Sequence, residues 1–133
     1  MQPTILVVDD TPNNISVLTE ILRGDYRVLA AINGEQALKI ARGDPSPDLI
    51  LLDVMMPGMS GHEVCQRLKA ESSTRKIPVI FVTAMNQVED EAKGFALGAV
   101  DYITKPVSPP IVAARVRTHL ALYDQNRELE RMV

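Results

Sequence analysis

The sequence predicts a three-layer α/β sandwich in which five β/α units wind about one parallel sheet. Short apolar runs, several rich in β-branched residues, recur along the chain and read as strands buried on both faces. The segments between them carry helical periodicity with Pro at their starts and Gly at their ends. Parallel neighbours need a connection long enough to return across the sheet, and right-handed helical crossovers supply it.

The first strand is Thr4 to Val8 (TILVV), which ends on Asp9 and Asp10. Thr11-Pro12 then starts a helix whose apolar stripe is Ile15, Leu18, Ile21 and Leu22, up to Gly24. Tyr26 to Ala31 (YRVLAA) is a shorter strand, followed by Asn33-Gly34 and a helix through Ala37, Leu38 and Ala41 to Gly43. Asp44-Pro45-Ser46-Pro47 is a turn. The central stretch, LILLDVMMPGMSG from Leu49 to Gly61, is an apolar run that stops abruptly on one acid, Asp53. Ser60 caps the next helix, on which Val64, Cys65 and Leu68 face inward.

Ile77 to Thr83 (IPVIFVT) is a further apolar strand, and it delivers a hydroxyl where the first and third deliver carboxylates. A polar helix over roughly 88–97 follows, with Glu89, Asp90, Glu91 and Lys93 as its solvated face and Val88, Ala92, Phe95 and Ala96 expected inward. Gly98 closes it. Val100 to Thr104 (VDYIT) is the last strand, ending on Lys105-Pro106, and Pro109-Pro110 start a helix that runs toward Val133.

Composition narrows the classes. At 133 residues, 46% hydrophobic and 23% charged, the chain is that of a one-domain globular protein. No apolar run approaches the roughly 20 residues of a membrane helix, and the N-terminus lacks the basic start of a secretory signal, so a cytoplasmic protein is expected. A net charge of −3 without a basic cluster offers nucleic acid little to hold. Cys65 has no partner for an internal disulfide and reads as a buried helix residue. His62 and His119 lack the spacing of a metal pair and read as surface residues, while Met55, Met56 and Met59 read as gap-fillers.

A parallel sheet gathers the polar strand ends, Asp9, Asp10, Asp53, Thr83 and Lys105, at one edge, in the crevice where the strand order reverses. A turn-capping role competes for any one of them, Asp53 included. Five together point to chemistry. Three carboxylates in one pocket need a counter-charge, and a hard divalent cation, best Mg²⁺, suits them. Mg²⁺ commonly shares its shell with a phosphoryl group, whose other oxygens suit the Lys105 ammonium and the Thr83 hydroxyl. A carboxylate can be the nucleophile that forms an acyl phosphate, and Asp53 is placed for that role.

With the Asp9-Asp10 pair, Asp53 before Met56-Pro57-Gly58, Thr83-Ala84 and Lys105-Pro106, the chain resembles the receiver domains of two-component response regulators over about residues 4 to 120. The resemblance implies a flavodoxin-like (βα)5 fold with strand order 2-1-3-4-5. It implies that Asp53 takes phosphate from a histidine kinase, a phosphotransfer protein or a small acyl phosphate. Asp10, Asp53 and the Met55 backbone carbonyl would ligate Mg²⁺, with Asp9 acting through water. Lys105 and Thr83 would hold the phosphoryl oxygens. Tyr102 would turn inward as Thr83 moves, altering the surface of the fourth helix, fifth strand and fifth helix. The Lys105-Pro106 bond would be cis. Many members carry a polar side chain where this chain has Met55, and Met55 with Met85 would flank the approach of hydrolytic water.

Rival readings lose on particular residues. A small aspartyl-phosphate phosphatase would have a second acid at Met55. A flavin carrier would cradle a phosphate in the first loop, where Asp9 and Asp10 repel it. A pseudo-receiver, a binding module without phosphorylation, would have lost part of the five-residue set. The expected function is therefore a phosphoacceptor signalling domain over residues 1–120, with 121–133 a helical extension. There Leu122, Asn126, Leu129 and Val133 fall at d, a, d, a spacing, which suits a parallel homodimer and a linker to an output domain after Val133.

Overall fold

The computed structural model describes residues 2–84 and 88–132, with 88–90 and 125–132 described as backbone alone. Strand β1 (Thr4–Val8), helix α1 (Pro12–Leu22), β2 (Arg27–Ala31), α2 (Gly34–Ala41), β3 (Leu49–Leu52) and α3 (Gly61–Ala70) come first. They are followed by β4 (Val79–Thr83), α4 (Val88–Ala96), β5 (Asp101–Thr104) and α5 (Pro109–Met132). The strands form one parallel sheet in the order β2-β1-β3-β4-β5, as the resemblance implies.

The apolar runs serve two cores at once because strand side chains alternate between faces. Leu6, Val8, Ile50, Leu52, Val79 and Phe81 join α2 and α3 residues such as Leu38, Val64 and Leu68. Their neighbours Ile5, Val7, Leu49, Leu51, Ile80 and Val82 join Leu18 and Leu22 of α1 and Val112 and Val116 of α5. This is why the three central strands show no polar alternation. β2, at an edge, buries only Ala31 fully.

Three strands are shorter than their sequence runs, β5 by Val100 alone. The Tyr26 amide bonds back to the Leu22 carbonyl in a turn, and the Ile77 amide does the same to Thr74, so neither joins the ladder. The Ser60 cap is as read, its hydroxyl accepting from the Glu63 amide, and the Asn33 side-chain oxygen caps α2 in the same way by accepting from the Gln36 amide. Gly98, at φ 105°, ends the turn after α4 in a conformation that favours glycine.

α4 is rotated from its expected orientation. Ala92, Phe95 and Ala96 are exposed, Phe95 by 47%, whereas Gly94 is buried. A Cβ at Gly94 would lie 2.7 Å from the Tyr102 ring, so the helix approaches β5 through the one residue that has no side chain. The Val88 side chain lies outside the described residues.

The histidines are also not surface residues. His62 is buried, edge-on to Phe81, and His119 lies half-buried with Nε2 2.9 Å from Asp101. Cys65 is fully buried and Met56 lies in the core, while Met55, expected as a gap-filler, is 63% exposed. Helix α5 continues unbroken to Met132, and the side chains of Asn126, Leu129 and Val133 lie outside the described residues. Among the described residues no helix is long and apolar enough to cross a membrane.

Candidate functional site

Sheet register brings the polar strand ends together. Val8 pairs with Leu52, so Asp9 and Asp53 leave adjacent strands at the same level. Thr83 pairs with Thr104, which places Lys105 one residue beyond the end of β4. The Lys105 amide donates to the Thr83 carbonyl at 3.0 Å, and the Lys105-Pro106 bond is cis.

Lys105 Nζ lies 2.9 Å from Asp9 Oδ2 and 3.3 Å from Asp53 Oδ2, donating to both. Both carboxylates are buried, at 2% and 5% exposure. The other oxygen of Asp9 accepts from the Thr11 amide at 2.9 Å and from Asn14 Nδ2 at 3.3 Å. The other oxygen of Asp53 accepts from the Met55 amide at 3.2 Å. Asp10 is exposed, yet one oxygen from each of Asp9, Asp10 and Asp53 lies within 4.8 Å of the others.

Three carboxylates face one ammonium, and the electrostatics record the imbalance. The Asp53 carboxyl is pushed above the usual range, first by burial and then by the charge of Asp9, with Lys105 and the Met55 amide only partly offsetting this. Burial would pull Lys105 down, but its bonds and charge interactions with Asp9 and Asp53 outweigh that and raise it. The two shifts have different causes: burial, added to by the charge of Asp9, dominates at Asp53, whereas Lys105 has two carboxylate partners that together outweigh its own burial. A pocket with surplus negative charge and convergent oxygens suits a hard divalent cation.

Thr83 is fully buried at the adjacent strand end, and Tyr102 is buried one strand away with its hydroxyl 3.4 Å from His62 Nε2. Asp9, Asp53 and Lys105 are thus brought into contact, with Asp10 at the rim and Thr83 next to them; Met85 lies outside the described residues. Sequence reasoning missed Asn14 and His62. Asn14 was discoverable as a polar residue in the first turn after an acidic pair, whereas His62 carries no such signal. Beside Lys105 a cavity of about 490 Å³ opens between α1 and the β5–α5 connection, lined mainly by apolar groups of Val17, Leu18, Val82 and Val107.

Residues 5–117 match the family model of the response regulator receiver domain. The chain is 48% identical over 136 aligned residues to a Vibrio cholerae protein named a probable cyclic di-GMP phosphodiesterase, covering 97% of this chain and 31% of that protein. It is 45% identical to response regulator PleD of Caulobacter vibrioides over 119 residues, covering 89% and 26%. The chain therefore spans less than a third of either relative. Among solved structures, the BeF3-activated DrrB receiver domain of Thermotoga maritima has a TM-score of 0.80 at 37% identity, covering 91% of this chain and 99% of that one. CheY4 of Vibrio cholerae has a TM-score of 0.82 at 26% identity, covering 90% and 99%.

Proposed function

The chain belongs to the response regulator receiver domain family, and on that premise we propose that Asp53 is its phosphoacceptor, with Asp9 and Asp10 as its acidic partners and Lys105 as the cation that holds the transferred phosphoryl group. The observation that carries this reading is the Lys105 ammonium held between the buried carboxylates of Asp9 and Asp53.

A carboxylate oxygen of Asp53 attacks the phosphorus of a phosphohistidine or a small acyl phosphate. The new O–P bond makes an aspartyl phosphate, the bond to the donor breaks, and its electron pair leaves on the donor's nitrogen or oxygen. Burial keeps the Asp53 carboxylate poorly solvated and so ready to react, while the Met55 amide fixes its orientation. Lys105 is poised to swing from a carboxylate oxygen to a phosphoryl oxygen without leaving the site. Thr83 offers its hydroxyl to another phosphoryl oxygen.

Asp9, Asp10 and Asp53, with the Met55 carbonyl, are the groups that would hold Mg²⁺, which when bound supplies the positive charge that three carboxylates and a phosphoryl group need. A phosphatase with a second general acid is disfavoured by Met55, whose exposed thioether has no proton to give. The apolar groove beside Lys105 suits the docking of a histidine kinase or phosphotransfer protein, a cytoplasmic partner.

Readout is proposed to run through Thr83 and Tyr102 to the surface of α4, β5 and α5, as a population shift. Residues 121–133 would extend α5 as a paired linker toward an output domain, and the name of the Vibrio cholerae relative supports a cyclic-dinucleotide output. The deciding experiment is to incubate the wild type and Asp53→Asn with Mg²⁺ and labelled acetyl phosphate. Label is expected on the wild type alone, and equal labelling would overturn the assignment.

A further inference from the structure

Tyr102 occupies a seat built by three elements besides its own. β4 pairs Phe81 with Tyr102, and strand alternation puts Thr83 on the same face as Phe81, two residues nearer the site. The Phe81 and Tyr102 rings lie 5.3 Å apart, and Phe95 of α4 lies 5.7 Å from Tyr102 on another side. Gly94 closes the seat, because any Cβ there would meet both the ring and the hydroxyl at 2.7 Å. From α3 comes His62, whose ring meets Phe81 edge-on at 5.3 Å and whose Nε2 lies 3.4 Å from the Tyr102 hydroxyl.

Phe81, Gly94 and Phe95 shape the seat, and His62 adds a directional polar contact to it. A buried phenol O–H that loses a polar partner pays its desolvation, so such a contact favours the ring being inside. His62 also sits at a mechanical junction. It directly follows Gly61, whose amide donates to the Val54 carbonyl at 2.9 Å in the loop leaving Asp53. One end of this short path is therefore the proposed phosphoacceptor and the other is the aromatic switch.

We propose that His62 is a positioning residue of the switch, holding the Tyr102 hydroxyl so that the inward ring is favoured before any phosphoryl group arrives. This rests on the reading of Tyr102 as the residue coupled to Thr83. By linkage, a protein already biased toward the inward state binds a phosphoryl mimic more tightly, because less of the binding free energy is spent on the shift.

Titrate the 133-residue chain with beryllofluoride in Mg²⁺ and follow the backbone amide shifts of β4 and β5 by NMR. Loss of one such hydrogen bond corresponds to a midpoint raised about fivefold in His62→Leu. Tyr102→Phe, which keeps the ring, should also raise it, and the double variant should lose less than the two single losses combined. His62→Gln, whose side-chain amide can accept from or donate to the phenol, should recover most of the loss, a rescue that mere packing does not predict. Additive effects in the double variant would overturn the proposal. So would unchanged midpoints in both single variants while Tyr102→Ala still raises it, and in that case the switch reading survives. If Tyr102→Ala also leaves the midpoint unchanged, the switch reading falls and this proposal with it. Should His62→Leu fail to fold, Tyr102→Phe decides alone, with an unchanged midpoint counting against His62.

Discussion

Gly61 packs its α-carbon against the backbone carbonyl of Asp53, so closely that a Cβ on Gly61 would sit 2.1 Å from that oxygen and 2.8 Å from Val54 Cα. Both obstacles are backbone atoms, so nothing flexible can yield. The first residue of α3 is thereby clamped to the peptide that positions the carboxylate.

Gly61→Ala should therefore cost both stability and activity. Overpacking of this kind removes about 1–3 kcal/mol, and displacing a reacting group by a fraction of an ångström slows its reaction by about tenfold or more. Urea unfolding and the rate of labelling by acetyl phosphate measure the two effects. A variant as stable and as reactive as the wild type would contradict the clamp.

Lys105→Ala should still be phosphorylated, yet its phosphorylation should no longer change the α4, β5 and α5 surface, because the cation that reports the phosphoryl group is gone. It also leaves Asp9 and Asp53 buried side by side without a counter-charge. With Lys105 itself 21% exposed, a loss of about 2 kcal/mol in metal-free buffer is expected rather than the full value for a deep pair. Denaturant unfolding and amide chemical shifts with and without beryllofluoride test the two halves separately.

Mg²⁺ should raise the unfolding temperature of the wild type in a concentration-dependent way, since a ligand of the native state stabilises it by mass action. Asp10→Asn removes one of the three converging carboxylates and should abolish most of that rise while leaving the metal-free protein as stable as before. An undiminished Mg²⁺ effect in this variant would place the cation elsewhere.

Asp101 ties β5 to α5. Burial would raise its carboxyl, but bonds from His119 Nε2 at 2.9 Å, the Tyr102 amide at 2.8 Å and Arg115 at 2.7 Å hold it below its ordinary 3.8. A depressed carboxyl stabilises the fold fully above its unfolded value and loses that contribution as pH falls through the lower folded one. Asp101→Asn should thus be about 1–2 kcal/mol less stable than the wild type at pH 6, with the gap narrowing below pH ~3.8. A gap independent of pH in urea titrations would refute the ion-pair account.

Deleting Asp124 to Val133 should leave phosphorylation intact and weaken self-association, if the α5 extension pairs two copies. Sedimentation of both lengths with beryllofluoride is the measurement. A 133-residue chain that stays monomeric throughout would remove the paired-linker proposal.

Much of the fold and of the candidate site was legible without coordinates. The runs TILVV, LILL and VIFVT are apolar on both faces, which only a sheet covered on both sides requires, and the helical segments between them force those strands parallel. Parallel strands share a carboxyl edge, so residues written far apart as Asp9, Asp53 and Lys105 had to meet there. Residue type then supplied the chemistry, because surplus buried carboxylate demands cations.

Tertiary packing alone decided matters that depend on rotation and close approach. Hydrophobic periodicity put Phe95 inside and could say nothing of Gly94, because a glycine buries no side chain and leaves no mark in such a pattern. Only the room needed by the Tyr102 ring turns that face of α4 inward. The histidines escaped for a related reason: imidazole is equally at home in water and in a hydrogen-bonded core, so its place is set by the partner it meets. His62 meets Tyr102 from 40 positions away and His119 meets Asp101 from 18, and those meetings exist only once the sheet has brought β5 between α3 and α5.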